Sequence, residues 1–443
     1  MNQHLSTSFV ARTMRARGYD VREGRDVRVT GGAADSRKVV AGDLFTAFPG
    51  ENSDGNVFVA EALANGAVAA ICERAPAGDW AEQTIVIAPD ATRAVGELAH
   101  AWRRECGTPV VGITGTVGKT TAKELTAAAL ARRLRTHKSG GNFNSREGLP
   151  LAVMSLTRDH EVSVLEMGMD SVGEISYLCD IAEPRVGVVL NIGLTHISKL
   201  GSIEAIEREK LSLPRWLAAD GTAVLNMDDT RIAAVVPELK CRVIGFGVDT
   251  DTDLVARNVS EAGLSGTTFD AHFEGESASV HSPLAGVHLV PAALAAIGVC
   301  CAMGMSLADA AQAVSEAPFE GRAQVLVNPR GVQIIDDRYN ASPASLAGAL
   351  RMLATLPGRR IAFIGRMAEL GEFEAEEHRA IGRVAAESAD ILVTFGPVCI
   401  GLADEARAAG LQDVRWFETK EAAAADVTRE MRAGDVVLVK GSR

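Results

Sequence analysis

The sequence predicts an α/β protein of consecutive domains, and three observations carry that prediction. Its 443 residues are about three times the ~150-residue prior for one domain. From residue 110 onward, short apolar strand-like runs alternate with helical ones, the pattern of parallel sheets covered on both faces. Hydrophobic residues are 47% of the chain and charged residues 23%, which supplies a large core and excludes wholesale disorder.

Residues 1–85 read as a small α/β module. Helical spacing over 9–17 is followed by strand-like runs at 27–30 and 43–48, a helical turn at 60–65 and a strand at 68–72. Gly and Pro at 75–78 mark a boundary, with one more short strand at 85–87. In residues 86–317, strands are expected at 110–114, 162–166, 186–192 and 223–226, with helices at 119–133, 174–181 and 203–213. Residues 254–281 alternate apolar and polar side chains between Gly turns, which predicts antiparallel hairpins at the sheet edge. An apolar helix after Pro291 and a second helix over 306–316 close this part. Residues 318–443 carry strands at 332–336, 360–365, 391–396, 414–417 and 436–440 with helices between, a doubly wound pattern.

The net charge is −12 with a pI near 5.4, so the surface repels a phosphate backbone and no nucleic-acid partner is expected. Small phosphorylated ligands stay open, because a local basic pocket can sit on an acidic body. The seven Cys are scattered without a CxxC pair, as expected of reduced thiols in a cytoplasmic protein. Residues 1–6 have neither the basic stretch nor the apolar run of a signal peptide. The apolar run 289–305 is 17 residues long, short of the ~20 that span a bilayer, and contains Pro. It predicts a buried core helix and no membrane insertion.

The strongest chemical signal is Val110-Val111-Gly112-Ile113-Thr114-Gly115-Thr116-Val117-Gly118-Lys119-Thr120-Thr121. A strand runs into a glycine turn, and Lys with two Thr opens a helix. Glycines let a backbone approach phosphate closely, and amides at a helix N-terminus face the anion. Lys119 then reaches phosphate oxygens and Thr120 is placed for Mg²⁺. The strict P-loop expression requires Gly where Ile113 stands, so the pattern is met in chemistry and not in letter. Glu166 ends the next strand, a position suited to a metal carboxylate and equally to an ordinary surface acid. His196 follows another strand end. Lys210 lies in Glu204-Ala205-Ile206-Glu207-Arg208-Glu209-Lys210, which by itself reads as a solvated helix face.

Together these runs resemble the Mur ligase family, in its MurF type, in order along nearly the whole chain. The first part supplies Asp35-Ser36-Arg37-Lys38, Gly42-Asp43-Leu44-Phe45-Thr46-Ala47, Gly50-Glu51 and Asp54-Gly55. The centre supplies the phosphate turn, Gly141-Asn142-Phe143-Asn144, Glu166-Met167-Gly168, Gly173-Glu174-Ile175, and Asn191-Ile192-Gly193 with His196. The last part supplies Gly321-Arg322, Asp336-Asp337-Arg338-Tyr339-Asn340-Ala341, Glu369-Leu370-Gly371, His378 and Val439-Lys440-Gly441-Ser442-Arg443.

The resemblance implies a three-domain architecture. A UDP-substrate-binding module spans 1–85, a central P-loop ATPase domain 86–317, and a Rossmann-like amine-substrate domain 318–443. It implies an ATP-dependent ligase that makes an acyl phosphate and then an amide bond in peptidoglycan precursor synthesis, in the cytoplasm. The expected cofactors are ATP and Mg²⁺. Gly115, Thr116, Val117, Gly118, Lys119, Thr120 and Thr121 would hold the ATP phosphates, Asp337 the ribose, and Arg322 would reach ATP from the third domain. Thr120 and Glu166 would serve one Mg²⁺ and His196 a second. Lys210 would be carbamylated, its N-carboxylate acting as a metal ligand. Lys119, Lys210 and His196 form the implied catalytic set, and Ser36, Arg37, Asn142 and Asn144 would contact substrate. The implied partners are a UDP-linked muramoyl-peptide and a dipeptide or amino-acid amine, acted on by a monomer.

Several positions depart from the family pattern. His288-Leu289-Val290-Pro291-Ala292 stands where the family has His-Asn-x-x-Asn, and Pro291 is expected to deprive the adenine of an Asn side chain. Arg338 and Ser342 alter the run after Asp337, and Arg366 follows Gly365 in place of Asp. Three readings follow: a cell-wall ligase with altered secondary contacts, a paralogue joining another acid and amine, or a nucleotide-binding homologue that no longer ligates. Retention of Lys119, Glu166, His196 and Lys210 argues against the third, and the near-intact UDP module favours the first.

Overall fold

A computed structural model describes residues 3–50, 53–195, 197–318 and 324–442. Three sheets follow one another along the chain. The first has five strands in the order Asp20–Arg22, Thr84–Ile87, Ala69–Cys72, Asp43–Thr46 and Gly31–Ala33, parallel except for the Asp20–Arg22 edge. The strand expected at 27–30 falls instead at Gly31–Ala33, because that is the stretch that pairs with residues 43–45. Arg28 makes only an isolated bridge to Ser6. Strand Thr84–Ile87 belongs to this sheet, so the sheet extends past residue 85.

The second sheet has nine strands. Its parallel part runs Leu254–Glu261, Arg242–Gly247, Thr222–Asn226, Val186–Val189, Val110–Thr114, Val162–Glu166 and Thr136–Lys138. Thr267–Phe273 and Glu276–Ser282 add an antiparallel edge, as the alternation over 254–281 predicts. Two parallel strands escape the sequence reading, Arg242–Gly247 and the three-residue Thr136–Lys138. Strands Val110–Thr114, Val162–Glu166 and Val186–Val189 are buried at every residue, which is why they read as unbroken apolar runs. Helix Val290–Ala302 carries the apolar run of the sequence and packs against helix Lys119–Leu130. At Gly298 a Cβ would lie 2.9 Å from Val224 Cγ1, so this helix seats directly on the sheet. Leu294 and Ile297 are fully buried on it, each contributing about 1.5–3 kcal/mol by leaving water. No helix among the described residues is long and apolar enough to cross a membrane.

Helix Ala91–Cys106, also unread in the sequence, links the first two sheets, and its buried face shares one core with both. Asp90 caps its start and Gly107, at φ 68°, ends it. The third sheet has six strands in the order Gln324–Val327, Gln333–Asp337, Asp435–Lys440, Arg359–Ile364, Ile391–Phe395 and Asp413–Phe417. All its pairings are parallel except that of the edge strand Gln324–Val327, whose antiparallel hairpin the sequence did not announce.

Candidate active site

The C-terminal ends of the parallel strands of the second sheet open into a cavity of about 840 Å³ that also reaches the third sheet. Thr116 to Thr121, Asn142, Asn144, Glu166, Lys210 and Asp337 all line it. The structure therefore gathers at one place residues separated by more than 200 positions in the chain.

The turn between strand Val110–Thr114 and helix Lys119–Leu130 is braced from the neighbouring strand end. Val117 N donates to Asn191 Oδ1 at 2.9 Å, and Asn191 Nδ2 donates back to Val117 O at 3.1 Å. Gly193 N donates to Thr116 Oγ1 at 2.8 Å, and that hydroxyl donates to Gly193 O at 3.1 Å. Asn191-Ile192-Gly193 is thus the second half of the glycine turn. Gly118 has φ 83°, a conformation that disfavours any side chain, and it caps the helix without a side-chain bond. Amides of a helix's first turn point out of its N-terminus, an arrangement suited to a phosphate anion.

Lys119 Nζ curls over its own turn and donates to Gly115 O at 2.8 Å and Thr116 O at 3.2 Å. Lys210 Nζ donates to the same Gly115 oxygen at 3.0 Å. Lys210 is 1% exposed, so the charged run around it is not a solvated face at this position. Burial drives its pKa well below that of an ordinary lysine; Lys119's charge adds to the effect and Glu209 opposes it. Glu209, also buried, accepts from Gly173 N and Ile175 N at 2.7 Å each and so caps helix Glu174–Ala182 from outside it.

Thr120 Oγ1 donates to Glu166 Oε2 at 2.9 Å, while Asn144 Nδ2 donates to Glu166 Oε1 at 2.8 Å. Glu166 N in turn donates to Ser139 Oγ at 3.2 Å. The loop carrying Asn144 is held from below by Lys123, a fully buried residue whose Nζ donates to Ser139 O at 2.7 Å and pairs with Glu124. The role of Lys123 had no local signal beyond its place four residues into the helix. Hydroxyl and carboxylate oxygens side by side suit a hard divalent cation such as Mg²⁺. Among the described residues no three His, Cys, Asp or Glu side chains cluster as a metal site. The donors at Thr120 and Glu166 therefore fit a cation held partly by water and phosphate oxygens.

His196 and Arg322 lie outside the described residues. Ser36 and Arg37 are not brought to the cavity. Ser36 Oγ donates to Glu61 Oε2 at 3.0 Å on the first domain. The exposed Arg37 forks onto Asp35 at 2.8 and 2.9 Å and draws that carboxyl down to about 2. Asp337 lines the cavity and is paired with Lys440, a partner that lies on the adjacent parallel strand in register with it.

Counting from His288, the two Asn positions of the pattern His-Asn-x-x-Asn are Leu289 and Ala292, and both line the cavity. The missing amide is therefore at Ala292 and not at Pro291, which sits harmlessly in the first turn of helix Val290–Ala302. The neighbouring wall is apolar, with Leu264, Pro283, Leu284 and Ala285. The other departures have local uses. Arg338 forks onto Asp336 at 2.6 Å, Ser342 forms a capping box with Ser345, and Arg366 pairs with Glu374.

Comparison with known proteins gives one consistent result. The Mur ligase middle domain matches residues 113–300, the Mur ligase glutamate ligase domain residues 321–443, and the Mur ligase family catalytic domain residues 28–105. The UDP-N-acetylmuramoyl-tripeptide–D-alanyl-D-alanine ligase of Bacillus subtilis is 33% identical, over 94% of this chain and 91% of its own length. The crystal structure of MurF from Acinetobacter baumannii superposes with a TM-score of 0.86 at 28% identity, over 100% of this chain and 97% of that one. MurF ligase from Thermotoga maritima, in complex with ADP, gives 0.79 at 29% identity, over 94% of each chain.

Proposed function

Because the chain belongs to the Mur ligase family, we propose that it joins D-alanyl-D-alanine to UDP-N-acetylmuramoyl-tripeptide, spending ATP and forming a C–N bond. It is an ATP-dependent ligase of the MurF type. The single observation that carries the reading is the convergence of Lys119, Lys210, Thr120 and Glu166 at the N-terminus of helix Lys119–Leu130, which begins after Gly118. That constellation is built for phosphoryl transfer, where catalysis is mostly positioning and charge stabilisation.

In the proposed reaction, a carboxylate oxygen of the UDP-linked acid attacks the γ-phosphorus, releasing ADP and leaving an acyl phosphate. The incoming amine then attacks the acyl carbon, and phosphate departs with one oxygen of the original carboxylate. Lys119 and the amides of the first helical turn would neutralise the phosphates, Asn142 and Asn144 would orient the acid, and Asp337 would hold the ribose. Mg²⁺, held through Thr120 and Glu166, would supply further charge neutralisation at the phosphates. His196 is proposed for a second Mg²⁺ and Arg322 for ATP. Burial lowers the proton affinity of Lys210 and so favours the uncharged amine, the form that takes up CO₂, which supports its carbamylation. Ser36 and Arg37 are proposed to meet the UDP end of the acid, away from the chemical centre. The boundaries near 85 and 317, the monomeric state and the cytoplasmic setting belong to the same proposal.

The test is a phosphate-release screen crossing UDP-muramoyl-peptides with amino acids and dipeptides. The proposal expects the tripeptide with D-alanyl-D-alanine to give the highest kcat/KM. A different preferred pair would assign the same chemistry to another acid and amine.

A further inference from the structure

Lys440 has no part in the chemistry above, yet it is 4% exposed and lines the cavity. It ends strand Asp435–Lys440, and parallel register sets it beside Asp337, the last residue of Gln333–Asp337. Its ammonium pairs with Asp337 Oδ2 and donates to Asn340 O at 2.9 Å. The chain beyond Asp337 is tied to the same strand end a second time. Ser442 Oγ is 2.9 Å from Asn340 Oδ1 and 3.2 Å from Ala341 O.

The segment supplying these bonds is itself fixed. Gly365 N donates to Lys440 O at 2.8 Å, Ser442 N donates to Arg366 O at 2.8 Å, and Ala368 N donates to Ser442 Oγ at 3.1 Å. Gly441 crosses Gly365 so closely that a Cβ on it would lie 3.1 Å from Gly365 Cα. A lysine anchored this firmly holds its partner carboxylate to one rotamer, and a charge-assisted bond is the strongest way to do so.

We infer that Lys440 is a positioning residue that sets the Asp337 carboxylate for the ribose hydroxyls of the nucleotide. The inference rests on the assignment of Asp337 to the ribose. Without Lys440, Asp337 swings free, and ordering it falls to the nucleotide itself. The effect is confined to the hydroxyls and leaves the phosphate end, at Lys119 and Thr120, as it was.

The experiment is calorimetric binding of ATP, 2′-deoxy-ATP and 3′-deoxy-ATP to the full-length protein, wild type and Lys440→Met, with melting curves for both. Wild type should lose at least about five-fold in affinity with one of the deoxy analogues, the value of a lost hydrogen bond. In Lys440→Met the affinity for ATP should fall to about that of the analogue, and the difference between them should vanish. Lys440→Gln, which removes the charge and keeps a donor for Asn340 O, is read the same way if Lys440→Met does not fold. An equal loss for all three nucleotides would mean that Lys440 serves the phosphates or the fold alone and would overturn the inference. So would an unchanged ATP-to-analogue ratio. Wild type that does not distinguish ATP from either analogue would instead remove the ribose assignment of Asp337 and the inference with it.

Discussion

Lys119 and Lys210 converge on one carbonyl oxygen, that of Gly115, at 2.8 and 3.0 Å. Burial, with the charge of Lys119 adding to it, lowers the proton affinity of Lys210. Negative charge brought by phosphate or a carbamate would oppose that effect.

Lys210→Ala should lose ligase activity by about 10²-fold or more, the scale of one removed electrostatic partner. Short carboxylic acids added to the assay should restore part of it by occupying the place of the N-carboxylate. Equal loss with and without such acids would count against carbamylation, as would the absence of a carbamate carbon resonance in wild type supplied with ¹³CO₂.

Glu166→Gln keeps hydrogen-bonding capacity toward Thr120 and Asn144 but removes the anion. The Mg²⁺ concentration for half-maximal activity should rise at least about ten-fold, as for removal of a metal-ligating or supporting group. A Mg²⁺ titration unmoved by the substitution would take Glu166 out of the metal site.

His137 is 5% exposed, with Ser163 Oγ at 2.8 Å from Nδ1 and Ser155 Oγ at 3.0 Å from Nε2. Burial, with neighbouring His160 adding to it, pushes its pKa down to about 4. Since the folded value lies below the unfolded one, acid favours the unfolded chain. The contribution is intact above the unfolded pKa of about 6.5 and is lost as pH falls toward 4. Between pH 7 and pH 5 it amounts to about 2 kcal/mol. Denaturant unfolding should show His137→Gln narrowing the wild-type stability difference between those pH values by about that amount; an unchanged difference would assign the acid sensitivity elsewhere.

Ala292 and Leu289 leave the adjoining cavity wall without amide side chains. Nucleotide binding should therefore discriminate weakly between ATP and GTP, and Ala292→Asn should sharpen the preference for ATP by up to about ten-fold. Dissociation constants for both nucleotides measure this directly. A strong ATP preference in wild type would mean that backbone groups or another side chain read the base.

What the sequence made legible follows from how local each signal is. Strand Val110–Thr114, Gly118 with its positive φ and helix Lys119–Leu130 are contiguous, and apolar run, turn glycine and helix start can be read in one pass. The hairpins beyond residue 254 were legible because one face of each strand is wet and the alternation survives. Strand Arg242–Gly247 and helix Ala91–Cys106 were not, the first because it opens on an exposed Arg and Gly245 and Gly247 leave only Val243-Ile244 as an apolar run, the second because small residues (Ala91, Ala94, Gly96, Ala99) dilute its buried stripe of Val95, Leu98 and Trp102. In the site, Lys119, Thr120 and Glu166 were named from residue type and position at a strand or helix end. The burial of Lys210, the support of Asn144's loop by Lys123 and the pairing of Asp337 with Lys440 were not legible. They depend on which strands lie side by side, which residues 16 to 103 positions apart cannot announce.

Ligation through an acyl phosphate moves a carboxylate oxygen into the released phosphate, and isotope labelling follows that oxygen. With ¹⁸O in the terminal carboxylate of UDP-N-acetylmuramoyl-tripeptide, ATP and D-alanyl-D-alanine, one ¹⁸O per turnover should appear in the released phosphate, and the new amide should keep the other. Phosphate free of ¹⁸O, with product still formed, would contradict attack of the carboxylate on the γ-phosphorus and with it the mechanism assigned to this site.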